Sequence, residues 1–178
     1  GALLPYVEQD IEVRIENLDL PKTMQVIDPT IVGIKGRLHM DAALTGTLAA
    51  PKVQAKAQIR NGALTKVTYD SLNLNIDYEQ AVFSWLFQLY NKEKLTLRGD
   101  GFVPLDLMAP DSVDMLDLEK PFRFQAATPG IDLSFLQSFT KEVKNLQGLF
   151  VCDVRIENTL RDPEPVGHIS IFNGAFSF

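Results

Sequence analysis

Two histidines, one cysteine and a short run of carboxylates are the residues of this chain best suited to chemistry. His39 and His168 stand far apart in the sequence, and neither has a cysteine or carboxylate cluster at ligand spacing, so no zinc set can be drawn. Cys152 has no second cysteine to pair with. It falls on the apolar side of an alternating segment, where a cysteine serves as a small core hydrophobe and not as a nucleophile. Asp106, Asp111, Asp114, Asp117 and Glu119 could offer oxygens to calcium, but the ligand spacing and central glycine of a calcium loop are missing, and the segment reads as a solvated acidic loop. There is neither a glycine-rich phosphate loop nor a GxSxG elbow. The expectation is a protein that is not an enzyme and needs no metal or cofactor.

Charge narrows the partners. With 17 Lys+Arg against 23 Asp+Glu the net charge is −6, and no stretch gathers the basic residues, so nucleic acid is excluded as a partner. The 46% hydrophobic content over 178 residues is ample for one folded domain. No run reaches the ~18 apolar residues of a bilayer span, and the first residues lack the basic region and cleavage site of an export signal.

What must position these residues is a set of strands. Val53-Gln54-Ala55-Lys56-Ala57-Gln58-Ile59-Arg60 alternates apolar and polar without an error, and the same period of two runs through 11–16, 38–44, 72–78 and 95–98, with shorter pieces at 122–124 and 169–171. Asn61-Gly62 and Asn173-Gly174 read as hairpin dipeptides, 91–94 as a polar hairpin tip, and Pro51 and Pro163 as closing two further turns. Helical spacing occurs once, over 131–146, where Leu133, Leu136, Phe139, Val143 and Leu146 recur at intervals of three and four behind Asp132. The stretch 106–119 carries Pro110 and reads as a loop with one turn of helix at most. An apolar face repeated over roughly ten strands, with so little helix, must be buried by the sheet folding on itself as a sandwich, barrel, solenoid or curled trough.

An internal repeat favours an extended array. A shift that carries Gly36 onto Gly148 aligns 36–65 with 148–177 without a gap. Gly36, Asp41, Thr47, Leu48, Pro51, Ile59, Asn61, Gly62 and Ala63 recur as Gly148, Asp153, Thr159, Leu160, Pro163, Ile171, Asn173, Gly174 and Ala175. A unit that recurs at a long fixed interval means stacking along an axis, and 1–178 is expected to be a fragment of a longer repetitive β domain.

These phrases resemble the TamB family of periplasmic translocation and assembly modules. The resemblance rests on a strand, Gly46-Thr47-Leu48-Ala49-Ala50-Pro51, a second strand, and Ile59-Arg60-Asn61-Gly62. Two more pieces agree, 101–107 and 131–136 leading to Leu146-Gln147-Gly148. Asn158 departs from the phrase by standing where a turn glycine belongs, a change that positive φ tolerates. The segment 81–90 departs too, with Phe83, Trp85, Phe87 and Leu89 on one face and Val82, Leu86 and Tyr90 on the other; the second set is expected to pack under the 131–146 helix.

The resemblance implies an all-β fold: an elongated, curled, taco-like sheet open as a trough with an apolar interior, built from repeats with one short helix. It implies a periplasmic segment of a bridge anchored in the inner membrane, with an Omp85-type outer-membrane partner, TamA, reached through the full-length protein. The trough would carry phospholipid acyl chains or support outer-membrane protein assembly; the alternative is a scaffold that templates strands of client outer-membrane proteins by β-augmentation. Residues expected to line the groove are Val13, Leu38, Met40, Leu44, Val53, Ile59, Leu74, Leu97, Phe124, Phe150, Val154, Ile156 and Ile171. The small residues Ala42, Ala55 and Ala57 among them would leave room.

Overall fold

The computed structural model describes residues 7–27, 34–64, 67–109, 115–134 and 144–177. Nine strands follow one another in chain order: β1 (Glu8–Asp19), β2 (Ile34–Thr47), β3 (Ala50–Leu64), β4 (Val67–Glu79), β5 (Val82–Asn91), β6 (Lys94–Pro104), β7 (Pro121–Asp132), β8 (Lys144–Thr159) and β9 (Pro163–Ser177). They form one antiparallel sheet in which each strand pairs with its neighbours in sequence and β1 does not reach β9, so the sheet stays open and is not a barrel. Among the described residues the one helix is α1 (Leu20–Ile27), between β1 and β2.

A flat single layer would leave both faces wet. Leu89 on β5 is nonetheless only 4% exposed, and it joins Tyr69 of β4 and Ile131 of β7 in a buried cluster, with Ile59, Leu72, Leu97 and Phe150 packed against it. Burial of this kind without a second sheet requires the strands to curl so that side chains on flanking strands lean over one another. The curl is incomplete, because no described side chain falls below 2% exposure. The chain exposes 11989 Å², where a compact monomer of its mass would expose about 8,700 Å².

Two sequence expectations are corrected here. Asn61-Gly62 and Asn173-Gly174 are not hairpin turns; β3 and β9 run straight through them. Asn61 and Asn173 hold φ of 50° and 52°, and Asn61 lies where the β2–β3 register slips between Lys35 and Arg37, so each pair marks an irregularity inside the ladder. The helix over 131–146 is also wrong at both ends. Ile131 and Asp132 finish β7, Leu133 and Ser134 make a single 3₁₀ turn, and 144–146 begin β8; 135–143 lie outside the described residues.

The helix that is present was hidden by its brevity. Asp19 caps it by accepting the backbone N–H of Lys22 at 3.2 Å, and Pro21 falls in the first turn, where no intrahelical N–H is needed. The tip at 92–93 is the expected hairpin turn, with positive φ at both residues. Gln80 and Ala81 make the same turn between β4 and β5 without a glycine or asparagine to announce it. Of the acidic loop, Leu105 bridges Leu116 and turns occupy 107–108 and 118–119, while 110–114 lie outside the described residues.

Register shows what the repeat is made of. The pairs Leu38↔Ile59, Met40↔Ala57, Ala42↔Ala55 and Leu44↔Val53 of β2–β3 recur as Phe150↔Ile171, Cys152↔Ile169, Val154↔Gly167 and Ile156↔Pro165 of β8–β9. The turns match atom for atom: Thr47 Oγ1 accepts from the N–H of Ala50, and Thr159 Oγ1 from that of Asp162, both at 3.1 Å. Gly36 and Gly148 share φ near 129° and 124°, and Gly46 and Asn158 are both left-handed.

The correspondence extends beyond the aligned sequence. Val13↔Ala42 and Leu18↔Leu38 of β1–β2 recur as Ala126↔Val154 and Ile131↔Phe150 of β7–β8, with a bulge at the same place, Asn17 in one and Gly130 in the other. Leu20 and Leu133, which follow, are both buried. The strands β1–β3 and β7–β9 are therefore one structural unit used twice, with β4–β6 between them.

Candidate functional site

Residues directly opposite in an antiparallel pair share a face, so register can be followed across the whole sheet. One row runs Val13, Ala42, Ala55, Ile76, Trp85, Gly101, Phe124, Ile156, Pro165. The next runs Ile15, Met40, Ala57, Leu74, Phe87, Gly99, Ala126, Val154, Gly167. On either side lie Ile11, Leu44, Val53, Tyr78, Phe83, Val103 and Leu18, Leu38, Ile59, Leu72, Leu89, Leu97. No residue in these rows is charged. Eight interstrand steps of about 4.8 Å make the lane about 38 Å long, running from the edge at β1 to the edge at β9.

All thirteen residues expected to line a groove fall on this face. Val13 is on β1; Leu38, Met40 and Leu44 on β2; Val53 and Ile59 on β3; Leu74 on β4; Leu97 on β6; Phe124 on β7; Phe150, Val154 and Ile156 on β8; and Ile171 on β9. Their exposure is graded. Val13 and Ile171, at the two ends, are exposed, and those between are half-buried.

The middle of the lane has a floor the sequence reading did not find. Trp85 lies over Gly101 and Phe87 over Gly99, each the direct cross-strand partner of its glycine, and a Cβ at either glycine would overlap the ring. The Tyr69 ring covers Gly62 in the same way. Each ring lies flat because its neighbour has no side chain. Phe83 stacks beside Trp85 with ring centroids 5.8 Å apart. The signal was the alternation Gly99-Asp100-Gly101, but only the β5–β6 register connects it to the aromatics.

Polar groups within the lane are turned to the backbone. Thr128 is 2% exposed and its Oγ1 accepts the N–H of Gly130 at 3.1 Å. Cys152 is buried, with Sγ 3.8 Å from the carbonyl of Ala126, and burial pushes its thiol pKa up, the opposite of nucleophile activation. Tyr69 is likewise raised by burial. At the β4–β5 end, the Tyr78 hydroxyl accepts the N–H of Leu107 at 3.2 Å, which ties the β6–β7 loop to the sheet.

The opposite face is a lattice of polar contacts: Arg14–Asp41 at 2.7 Å, Gln54–Asp77 at 3.1 Å and Gln58–Asn73 at 2.9 Å across strands, and Asp100 between Arg98 of its own strand and Arg123 of β7 at 3.3 and 3.5 Å. His39 and His168 sit on it, opposite Gln58 and Asp153. Leu86 stands between Asn75 and Asp100, and nearby Phe102 has the Arg123 guanidinium 5.9 Å from its ring centre. Strand neighbours therefore flank this apolar patch, and the described ends of 131–146 are strand and turn, not the helix expected over it. Of the described carboxylates of the acidic loop, Asp106 accepts from Met108 N and Asp117 from Glu119 N, and Glu119 pairs with Arg161 before β9 at 2.8 Å; Asp111 and Asp114 lie outside the described residues.

No family model, curated protein or solved structure matches the chain.

Proposed function

We propose that the chain is a lipid-conducting section of a cell-envelope protein, and that its lane holds the acyl chains of phospholipids while the polar face meets water. The observation that carries this reading is the pair of uncharged rows that crosses all nine strands of the open sheet, flanked by two more over β1–β6. A hydrocarbon chain has no polar group to satisfy, so a channel for it must not present any. Each CH₂ kept from water is worth about 0.8 kcal/mol. A lane of about 38 Å also exceeds the ~15 Å depth of one leaflet of hydrocarbon, so a whole lipid tail fits along it. The setting rests on the phrase resemblance alone: the periplasm, an inner-membrane anchor, and an Omp85-type outer-membrane partner.

Photo-crosslinking residues at Ile59 and at its outward neighbour Gln58 test the proposal in cells. Phospholipid adducts at Ile59 and none at Gln58 are expected. Equal labelling at both, or only protein adducts at Ile59, would replace the conduit with a scaffold for client strands.

A further inference from the structure

The two edges of the sheet are built differently. β1 carries Glu8, Asp10, Glu12, Arg14 and Glu16, and charge of this density discourages pairing with another strand. From Pro165 to Ser177, β9 has no Asp, Glu, Lys or Arg. Its side chains are bare on both faces: Ile169 and Ile171 on the lane are 60% and 54% exposed, Val166 and Phe172 on the other face 54% and 53%.

The structural repeat says what such an edge takes. β9 occupies in its unit the place of β3, and the corresponding edge of β3 is covered by β4, antiparallel, through Val53↔Tyr78, Ala55↔Ile76, Ala57↔Leu74 and Ile59↔Leu72. We infer that the edge of β9 away from β8 is a strand-accepting site for an extended, antiparallel peptide segment with the alternation of β4, its apolar residues opposite Pro165, Gly167, Ile169 and Ile171. On the other face, where β3 has Gln54, Lys56, Gln58 and Arg60, β9 has Val166, His168, Ser170 and Phe172. The accepted segment therefore needs no acidic residue to match a base there, and the lane-side residues set its register. A second copy of β9 is the poorer fit. Pairing about Ile169 sets Pro165, which has no N–H, against Asn173, whose left-handed backbone already breaks the ladder. The site does not depend on whether the lane carries lipid.

The probe is a fluorescent peptide with the sequence of residues 67–79, and the control has the same composition with apolar and polar positions exchanged. With the whole chain, the probe is expected to bind saturably and to slow hydrogen exchange over 165–172 but not in β1. Ile169→Lys is expected to weaken binding by about tenfold while Trp85 emission stays unchanged, which shows the sheet intact. Equal binding of the exchanged-pattern control, or protection at β1, would overturn the site. So would a self-associated chain with β9 already protected, which would name a second copy as the occupant.

Discussion

At the residue scale, the fold depends on places where side chains are absent. Gly101 and Gly99 leave room for Trp85 and Phe87 to lie flat across β6. A methyl group at Gly101 meets both the Trp85 ring and the carbonyl of Arg123, so neither side can yield freely. Gly101→Ala is expected to cost about 1–3 kcal/mol in urea unfolding. Trp85 is the sole tryptophan, so its emission should shift in the same variant. Cys152 gives a second test. Its thiol pKa is raised by burial, so the folded state favours the neutral form; this stability is present in full below the unfolded thiol pKa of about 8.5 and is lost as pH rises through the folded value. Alkylation of Cys152 should therefore be slow in native buffer at pH 8 and prompt in urea. Fast native labelling would mean that the lane opens around β7 and β8.

At the element scale, alternation was enough to place the strands, because a period of two is a local property and each strand of the repeat unit carries it cleanly. The bulges were not legible. Asn61-Gly62 has the composition of a tight turn, and nothing within six residues distinguishes a turn from a left-handed residue inside a continuing strand; the decision comes from Gly36 on the neighbouring strand, whose Cβ would press on the Arg60 carbonyl. The 131–146 pattern misled at its ends for a related reason, since Ile131 and Asp132 finish β7 and 144–146 begin β8, and apolar residues at the junction of two strands carry the same spacing as a helix face. Alternation was enough to put the thirteen expected residues on one face, and the pairing of Trp85 and Phe87 with Gly101 and Gly99 was not legible, because that relation exists only across a hairpin. The repeat yields a prediction here. Asn158 stands where the first unit has Gly46, and both are left-handed. Asn158→Gly should leave thermal stability within about 0.5 kcal/mol of the parent, whereas Asn158→Val should cost about 1–2 kcal/mol, the penalty of a β-branched side chain at positive φ.

At the scale of the whole molecule, the chain keeps an apolar face it does not close. A compact monomer hides such a face in a second layer; here, among the described residues, α1 packs only beside β1 and β2, and the lane stays half-open across nine strands. An occupant that fills the lane therefore binds the folded state and not the unfolded one, and must raise stability by mass action. At a hundredfold excess over Kd this amounts to about 2.7 kcal/mol, worth roughly 5–10 °C in Tm for a chain of this length. Titrating a long-chain phospholipid in detergent micelles should give that shift over micelles alone, and a short-chain lipid a smaller one, because each CH₂ adds to the transfer free energy. Raising the salt should leave the shift unchanged, since no row of the lane is charged. Ile59→Asp puts an ion in the lane beside Leu38 and Leu72 and should abolish the shift, while Gln58→Asp, on the polar face opposite Asn73, should preserve it. A Tm that rises equally in both variants would place the lipid on the outside of the sheet and end the conduit reading.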